Sequence, residues 1–469
     1  MSFIIYDIAL LIAFALGIGI FLFAKKNNLK KEGLFILYKT SWGIKLINYV
    51  GTKYKKTLHV LSYISIVVGY FLMAGIVYMV GKIVWIYVMV PRVVEQLKVP
   101  PIMPLIPYID KFVEGFPPFY FIYWIIILSI IAVTHEFAHG IFMKKNNIKI
   151  KSTGFGFFPF FLPVFLAAFV EQDEKSMKKS SSFSQMAVLS AGTFANIITA
   201  IVGFVVLILF FTTTFSASGV MFDTYSYSIV NTSDITMVNG VDVFTPDYNQ
   251  VLELINASEL NEIYANGILY RGVYQFSSDG AMVGLYDDLP AINNRINRPI
   301  TKINYKDVLN LEELSLELSK YSFNETIVVT SLVDGVEKDY EIVLHKNPHN
   351  KDFGLLGIGF NDVTKSGISK YLYNILFSFK EPHVYYKSVW GEFGLFVYYF
   401  LFWIILVAFG VALMNMFPAG MFDGGRFFYL TIFELTKSEK IANKCYKLVT
   451  WLSLALLLVI MVAWAVRVF

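Results

Sequence analysis

The stretch IIILSIIAVTHEFAHGIFMKK, residues 125–145, decides how the rest of the chain is read. It opens as an uncharged aliphatic run and closes on two histidines, a glutamate and two lysines. In lipid such a run must be helical, because no water is present to satisfy backbone N–H and C=O groups. On a helix, His135 and His139 stand one turn apart on one face, so both imidazoles can hold one metal ion. Glu136 follows the first histidine and can reach water at that ion to take its proton. Ionisable groups inside a membrane segment cost roughly 2.5–3.5 kcal/mol for an aspartate on insertion scales, so their presence marks function.

The composition agrees with a bilayer setting. Of 469 residues, 56% are hydrophobic and 16% charged, above the roughly 45–50% apolar content of soluble domains. The net charge of +4 is too slight and scattered for a nucleic-acid partner, and none is expected. Cys445 is the single cysteine, so a metal site must be built from histidine and carboxylate. The first apolar segment, Ile8 to Ala24, has no basic leader or small-residue cleavage site before it and reads as a retained helix.

Apolar runs long enough to cross the bilayer are Ile8 to Ala24, Val60 to Pro91 (interrupted by Lys82), Pro118 to Thr134, Ser180 to Phe222, Phe393 to Phe422 and Leu448 to Val466. The lysine-dense loop after the first run belongs in the cytoplasm, which puts the N-terminus outside. Gly154 to Val170 is also uncharged, but lysines flank both of its ends and it holds two prolines and two glycines. It reads as a membrane re-entrant hairpin. From about Ser216 to His383 the texture is that of a water-exposed α+β domain. In it ITMVNGVDV, from Ile235, is echoed by ITKINYKDV, from Ile300, each followed by a helix-period stretch, VLELINASEL and LEELSLELSK. TIVVTSLVDGVEKDYEIVLHK adds two strands about a DG turn. Sequons at Asn231, Asn256 and Asn324 fall in the same domain, and GISKYLYNILFSFKEPHVYY reads as an interfacial helix. The expected fold is a polytopic α-helical membrane protein of about six transmembrane helices. Its parts are residues 1–117 with two helices and a basic loop, 118–215 and 384–469 as two halves of a core, and 216–383 as an extracytoplasmic insert.

H-E-x-x-H is the pattern of zinc peptidases, and zinc held by two histidines needs a further protein ligand. Asp423 in NMFPAGMFDGGRFF follows thirty uncharged residues and reaches the same cytoplasmic depth as the histidines. Pro418 and the glycines around Asp423 would unwind the helix there. EQDEK, Glu171 to Lys175, is the alternative source of a ligand, a glutamate. Gly192 and Asn196 in the fourth run give a close helix contact and a polar group that could bond the substrate or a developing oxyanion, and Asn415 is weighed the same way. His345 and His349 are also four apart, but Pro348 breaks any helix there. His59 and His383 stand singly. A transporter or metal-binding scaffold could use the His/Asp cluster without hydrolysis, although neither needs a general base beside the first ligand.

These residues resemble the site-2 protease family of intramembrane zinc metalloproteases. THEFAHG matches its membrane HExxH. Asn415, Pro418, Asp423 and Gly424 match its N-x-x-P-x-x-x-x-D-G element, and Gly192 with Asn196 is similar to its G-x-x-x-N element, with Thr193 where proline is common. PAINNRINRPITKINYKDV resembles the opening of PDZ-like extracytoplasmic domains, with Tyr305 in place of the usual glycine. The resemblance implies one Zn²⁺ on His135, His139 and Asp423, with Glu136 activating water. It also implies a transmembrane protein as substrate, a lipid bilayer as setting, and an upstream protease that trims the substrate.

Overall fold

The computed structural model describes residues 3–32, 35–90, 105–113, 115–157, 166–244, 246–256, 259–277, 280–333, 335–346, 354–361, 373–374 and 377–468. Among these, six helices are long and apolar enough to cross a membrane: Phe3–Ala24, Lys55–Met89, Phe121–Lys145, Ser182–Thr214, Gly391–Asn415 and Glu439–Val466. The chain separates into two compact units, Met1–Phe210 with Leu395–Phe469, and Phe211–Gly394.

The first unit contains α1 (Phe3–Ala24), β1 (Leu29–Glu32), β2 (Phe35–Thr40), α2 (Ile44–Lys53), α3 (Lys55–Met89), α4 (Phe121–Lys145), β3 (Ile150–Phe157), β4 (Leu166–Gln172), α5 (Glu174–Lys179), α6 (Ser182–Thr214), α7 (Gly391–Asn415), α8 (Asp423–Thr436) and α9 (Glu439–Val468). Two buried clusters hold it together. Phe121, Tyr123, Trp124, Ile127 and Ile131 of α4 pack with Trp403, Ile404 and Ala408 of α7. Phe142 and Met143, further along α4, pack with Val188 and Ala191 of α6, Met416 and Phe427. The polar turn His135–His139 therefore lies on α4 between two apolar cores.

Helix α1 starts five residues before the apolar run beginning at Ile8, and so takes in Asp7, its one buried residue. The Asp7 carboxylate accepts hydrogen bonds from the amides of Phe121 (2.6 Å) and Ile122 (3.0 Å) and from the Tyr108 hydroxyl (2.8 Å). Those amides open α4 and have no partner within their own helix. A carboxylate borrowed from a neighbouring helix caps them and meets the positive end of the α4 dipole.

Residues 150–157 and 166–172 form an antiparallel strand pair, Thr153 opposite Val170 and Phe157 opposite Leu166. Residues 158–165, the tip of the expected hairpin, lie outside the described residues. The pair belongs to a four-stranded sheet, β1-β2-β3-β4, antiparallel throughout. Two of its strands come from the lysine-rich loop that the sequence reading treats only as a side marker. Gly154 makes the join possible, because a Cβ there would fall 2.2 Å from the Tyr38 carbonyl oxygen of β2.

The second unit has two six-stranded sheets over separate cores. Each copy of the internal echo is a two-strand hairpin, Ile235–Val238 with Val241–Asp242 and Ile300–Ile303 with Lys306–Asp307. Their turns, Asn239-Gly240 and Asn304-Tyr305, have positive φ at both positions, as a tight right-twisting hairpin requires. Tyr248–Leu254 and Leu311–Leu318 are the helices that follow. The first ends earlier than the stretch VLELINASEL suggests. Thr326–Val333 and Val336–Val343 pair about Gly335. Residues 367–372 and 375–376 of the expected interfacial helix, 367–386, lie outside the described residues, and 373–374 and 377 are helical. Its end is not helical: Val384–Ser388 is a strand paired with Phe215–Val220, where a β-branched and two aromatic residues favour extended backbone.

Candidate metal centre

His135 and His139 are both buried, and their Nε2 atoms lie 3.0 Å apart. Asp423 is the first residue of α8. Its Oδ2 lies 3.6 Å from His135 Nε2 and 3.4 Å from His139 Nε2. Ligand atoms at 2.0–2.1 Å on a tetrahedral metal are about 3.3 Å from one another, so the triangle of two nitrogens and one oxygen has the right size for a single ion.

The chain between α7 and α8 brings Asp423 there. It leaves helix at Asn415, turns through the buried Pro418, and is drawn tight by Ala419 N to Phe417 O (2.8 Å) and Phe422 N to Ala419 O (3.0 Å). Helix α8 begins directly against this turn: a Cβ on Gly424 would fall 2.3 Å from the Met416 carbonyl carbon and oxygen, and one on Gly425 2.4 Å from Ala419 O. Only glycines let the aspartate approach so closely.

The imidazoles are oriented from behind. His139 Nδ1 is 2.7 Å from the Val188 carbonyl oxygen, which fixes the ring proton on Nδ1 and turns the Nε2 lone pair toward Asp423. The side-chain amide of Asn196 faces His135 Nδ1, with Nδ2 at 3.1 Å, while its buried Oδ1 has no hydrogen-bond partner. The two ends of an amide differ in chemistry and hardly in shape. Turned by 180°, the amide sets Oδ1 on His135 Nδ1–H, satisfies the orphaned oxygen, and frees Nε2 as an acceptor like that of His139. Asn196 thus faces the rear edge of His135. Gly192 completes the cradle, since a Cβ there would fall 2.5 Å from His139 Nε2 and 2.6 Å from His135 Nε2. The donor set, the orphaned amide and the glycine-lined space all fit a divalent cation.

Glu136 stands beside this cluster, its Oε2 accepting the Val170 amide of β4 at 2.9 Å. Among the described residues β4 is an edge strand. A cleft of about 900 Å³ is lined by His135, Glu136, His139, Ala168, Asn415 and Asp423. Asn415 therefore borders the same space as His135, His139 and Asp423. In the alternative segment EQDEK, Glu171 is engaged by Lys39 (2.9 Å) and Ser152 (2.6 Å), and Glu174 accepts from the Gln172 side-chain amide (2.8 Å). His345 lies in a short strand, His59 among the rings of Tyr63 and Phe183, and His383 beside Asp223. His349 lies outside the described residues. Sequence reasoning missed the Val188 carbonyl and the Val170 amide, because backbone groups have no signature of their own.

A profile of peptidase family M50 matches residues 123–460. An uncharacterized protein of Methanocaldococcus jannaschii is 29% identical over 195 residues, which are 41% of this chain and 48% of that protein. The chain thus spans about half the length of that relative.

Proposed function

The chain belongs to peptidase family M50, and from that premise we propose that this membrane metallopeptidase is a zinc-dependent intramembrane protease, hydrolysing a peptide bond within or near the transmembrane helix of a membrane-protein substrate. The observation that carries this reading is the meeting of His135 and His139 on α4 with Asp423 on α8, at ligand spacings of 3.0–3.6 Å. Zinc bound there would supply Lewis acidity, polarising a carbonyl and lowering the pKa of water toward about 7. Glu136 takes the proton of the attacking water and returns it to the departing nitrogen. Asn196 and the Val188 carbonyl hold the two imidazoles in the tautomers that ligation requires. Asn415 supplies an amide donor at the cleft wall.

A substrate helix hides its carbonyls in its own hydrogen bonds and must unwind to be cut. The edge strand β4 offers backbone groups that can hold an unwound segment extended. In this reading the β3–β4 pair is the re-entrant element and the cleft opens near the cytoplasmic face. Both termini and the inserted unit, carrying PDZ-like modules, are extracytoplasmic. Those modules admit substrates already trimmed by another protease. The test is to incubate the detergent-purified protein with synthetic transmembrane peptides, with and without a zinc chelator, and to map products by mass spectrometry. Chelator-sensitive cuts inside the apolar segment are expected. Cuts confined to soluble flanks, or insensitive to chelation, would refute the reading.

A further inference from the structure

Residues 29–43 precede the stretch that the family profile matches, yet they enter the framework around Glu136. Strand β2 pairs with β3 from Ile36 opposite Phe157 to Thr40 opposite Thr153. From β2, the Lys39 ammonium reaches Glu171 Oε2 on β4 at 2.9 Å and Glu32 Oε1 on β1 at 3.0 Å, while Ser152 on β3 donates to the same Glu171 oxygen at 2.6 Å. Lys39 therefore ties β2 to β1 and β4, and the Ser152–Glu171 bond adds β3. Glu171 directly follows Val170, whose amide holds the Glu136 carboxylate.

The other end of the segment grips the helix that carries Glu136. Thr153 Oγ1 donates to the Trp42 carbonyl at 2.7 Å. The Trp42 indole meets the Phe137 ring edge-on at 5.4 Å. Gly43, at φ +81°, passes so close that a Cβ would fall 2.3 Å from Phe137 Cζ. Phe137 is the residue after Glu136. One short segment thus sets the residue beside the proposed base and the residue beside its hydrogen-bond donor. The pairing is electrically firm, since the Ser152 hydroxyl and the Lys39 ammonium hold the Glu171 carboxyl below its usual range.

We propose that residues 36–43 are a positioning element for Glu136, with Lys39 acting through Glu171 and β4, and Trp42 acting through Phe137. The proposal rests on the reading of Glu136 as the general base. Neither Lys39 nor Trp42 touches the histidines or Asp423, so their loss should leave the ligands in place and spoil only the aim of the carboxylate. Misplacement of a reacting group by about 1 Å costs on the order of 100-fold in rate, and a loosened edge strand moves Val170 on that scale.

The test compares full-length wild type, Lys39→Ala, Lys39→Arg and Trp42→Ala. Readouts are zinc per chain, kcat and KM on a Leu/Ala-rich transmembrane peptide of about 20 residues with a central Asn-Gly pair, and hydrogen exchange at the Val170 amide. Lys39→Ala and Trp42→Ala should keep their zinc and hold KM within about twofold, with kcat falling roughly 10- to 100-fold. Val170 should exchange about tenfold faster in Lys39→Ala, and Lys39→Arg should recover most of both losses. Unchanged kcat and unchanged Val170 exchange in Lys39→Ala would overturn the proposal. So would a change in KM alone, loss of zinc, or faster exchange throughout the protein. If the wild type cleaves no peptide, the functional reading fails, and Val170 exchange alone still decides whether the segment holds that strand.

Discussion

Each histidine at the centre has a bare Nε2 facing Asp423 and an Nδ1 facing a group that settles its tautomer, and this division predicts different consequences for each substitution. Glu136→Gln keeps the volume and leaves His135, His139 and Asp423 untouched. It should retain metal and lose about 10²- to 10⁴-fold in turnover, measured as the initial rate of peptide cleavage. Asn196→Ala removes the amide behind His135 and should weaken zinc binding by about 10- to 100-fold, read by competition with a zinc-chelating dye. Gly192→Ala places a methyl within 2.6 Å of both Nε2 atoms and should lose zinc outright by the same assay. His135, Glu136, His139 and Asp423 could be singled out in the sequence because ionisable side chains stand out against an apolar run. The supports were legible only in part. Gly192 and Asn196 could be marked as special positions, but that Asn196 faces His135 depends on which faces of α4 and α6 meet. The Val188 carbonyl and the Val170 amide belong to residues whose side chains say nothing of the role.

Among the elements, α1 and the loop after it show the limits of hydropathy. Asp7 sits at the edge of an apolar run and reads as a flank, yet it caps α4 across a helix contact. Asp7→Leu leaves the Phe121 and Ile122 amides without that acceptor, which costs about 1–3 kcal/mol. A lower thermal midpoint in detergent is expected, with zinc content unchanged once folded. The strand character of residues 29–40 was hidden because LKKE and FILYKT are short, LKKE pairs only with FILYKT, and the further partner of FILYKT lies more than a hundred residues away. The Lys39–Glu171 pair also makes a pH prediction. Glu171 titrates below the ordinary glutamate value of about 4.3 and Lys39 above the ordinary lysine value of about 10.4. The contribution of Glu171 is present above its ordinary value and lost as pH falls through the lower folded one. That of Lys39 is present below its ordinary value and lost as pH rises through the higher folded one. Between those limits both are charged, so the ratio of wild-type to Lys39→Ala turnover should stay flat from about pH 6 to 9.

For the molecule as a whole, the number of crossing helices follows from charge-free run lengths, and six such helices are present among the described residues. The inserted unit announced itself by a change of texture and by its repeated hairpin, because tight turns with positive φ draw on few residue types. Run lengths and their parity predict one depth for Asp423 and the histidines, but they do not contain the meeting of α4 with the start of α8, nearly three hundred residues apart. On that meeting the functional account depends. Metal analysis of purified wild type, Glu136→Gln and Asp423→Ala, after equilibration with zinc and removal of loosely held metal, tests it most directly. The account predicts about one zinc per chain in the first two and less than about a tenth of that in Asp423→Ala. Full zinc occupancy in a folded Asp423→Ala protein would contradict it.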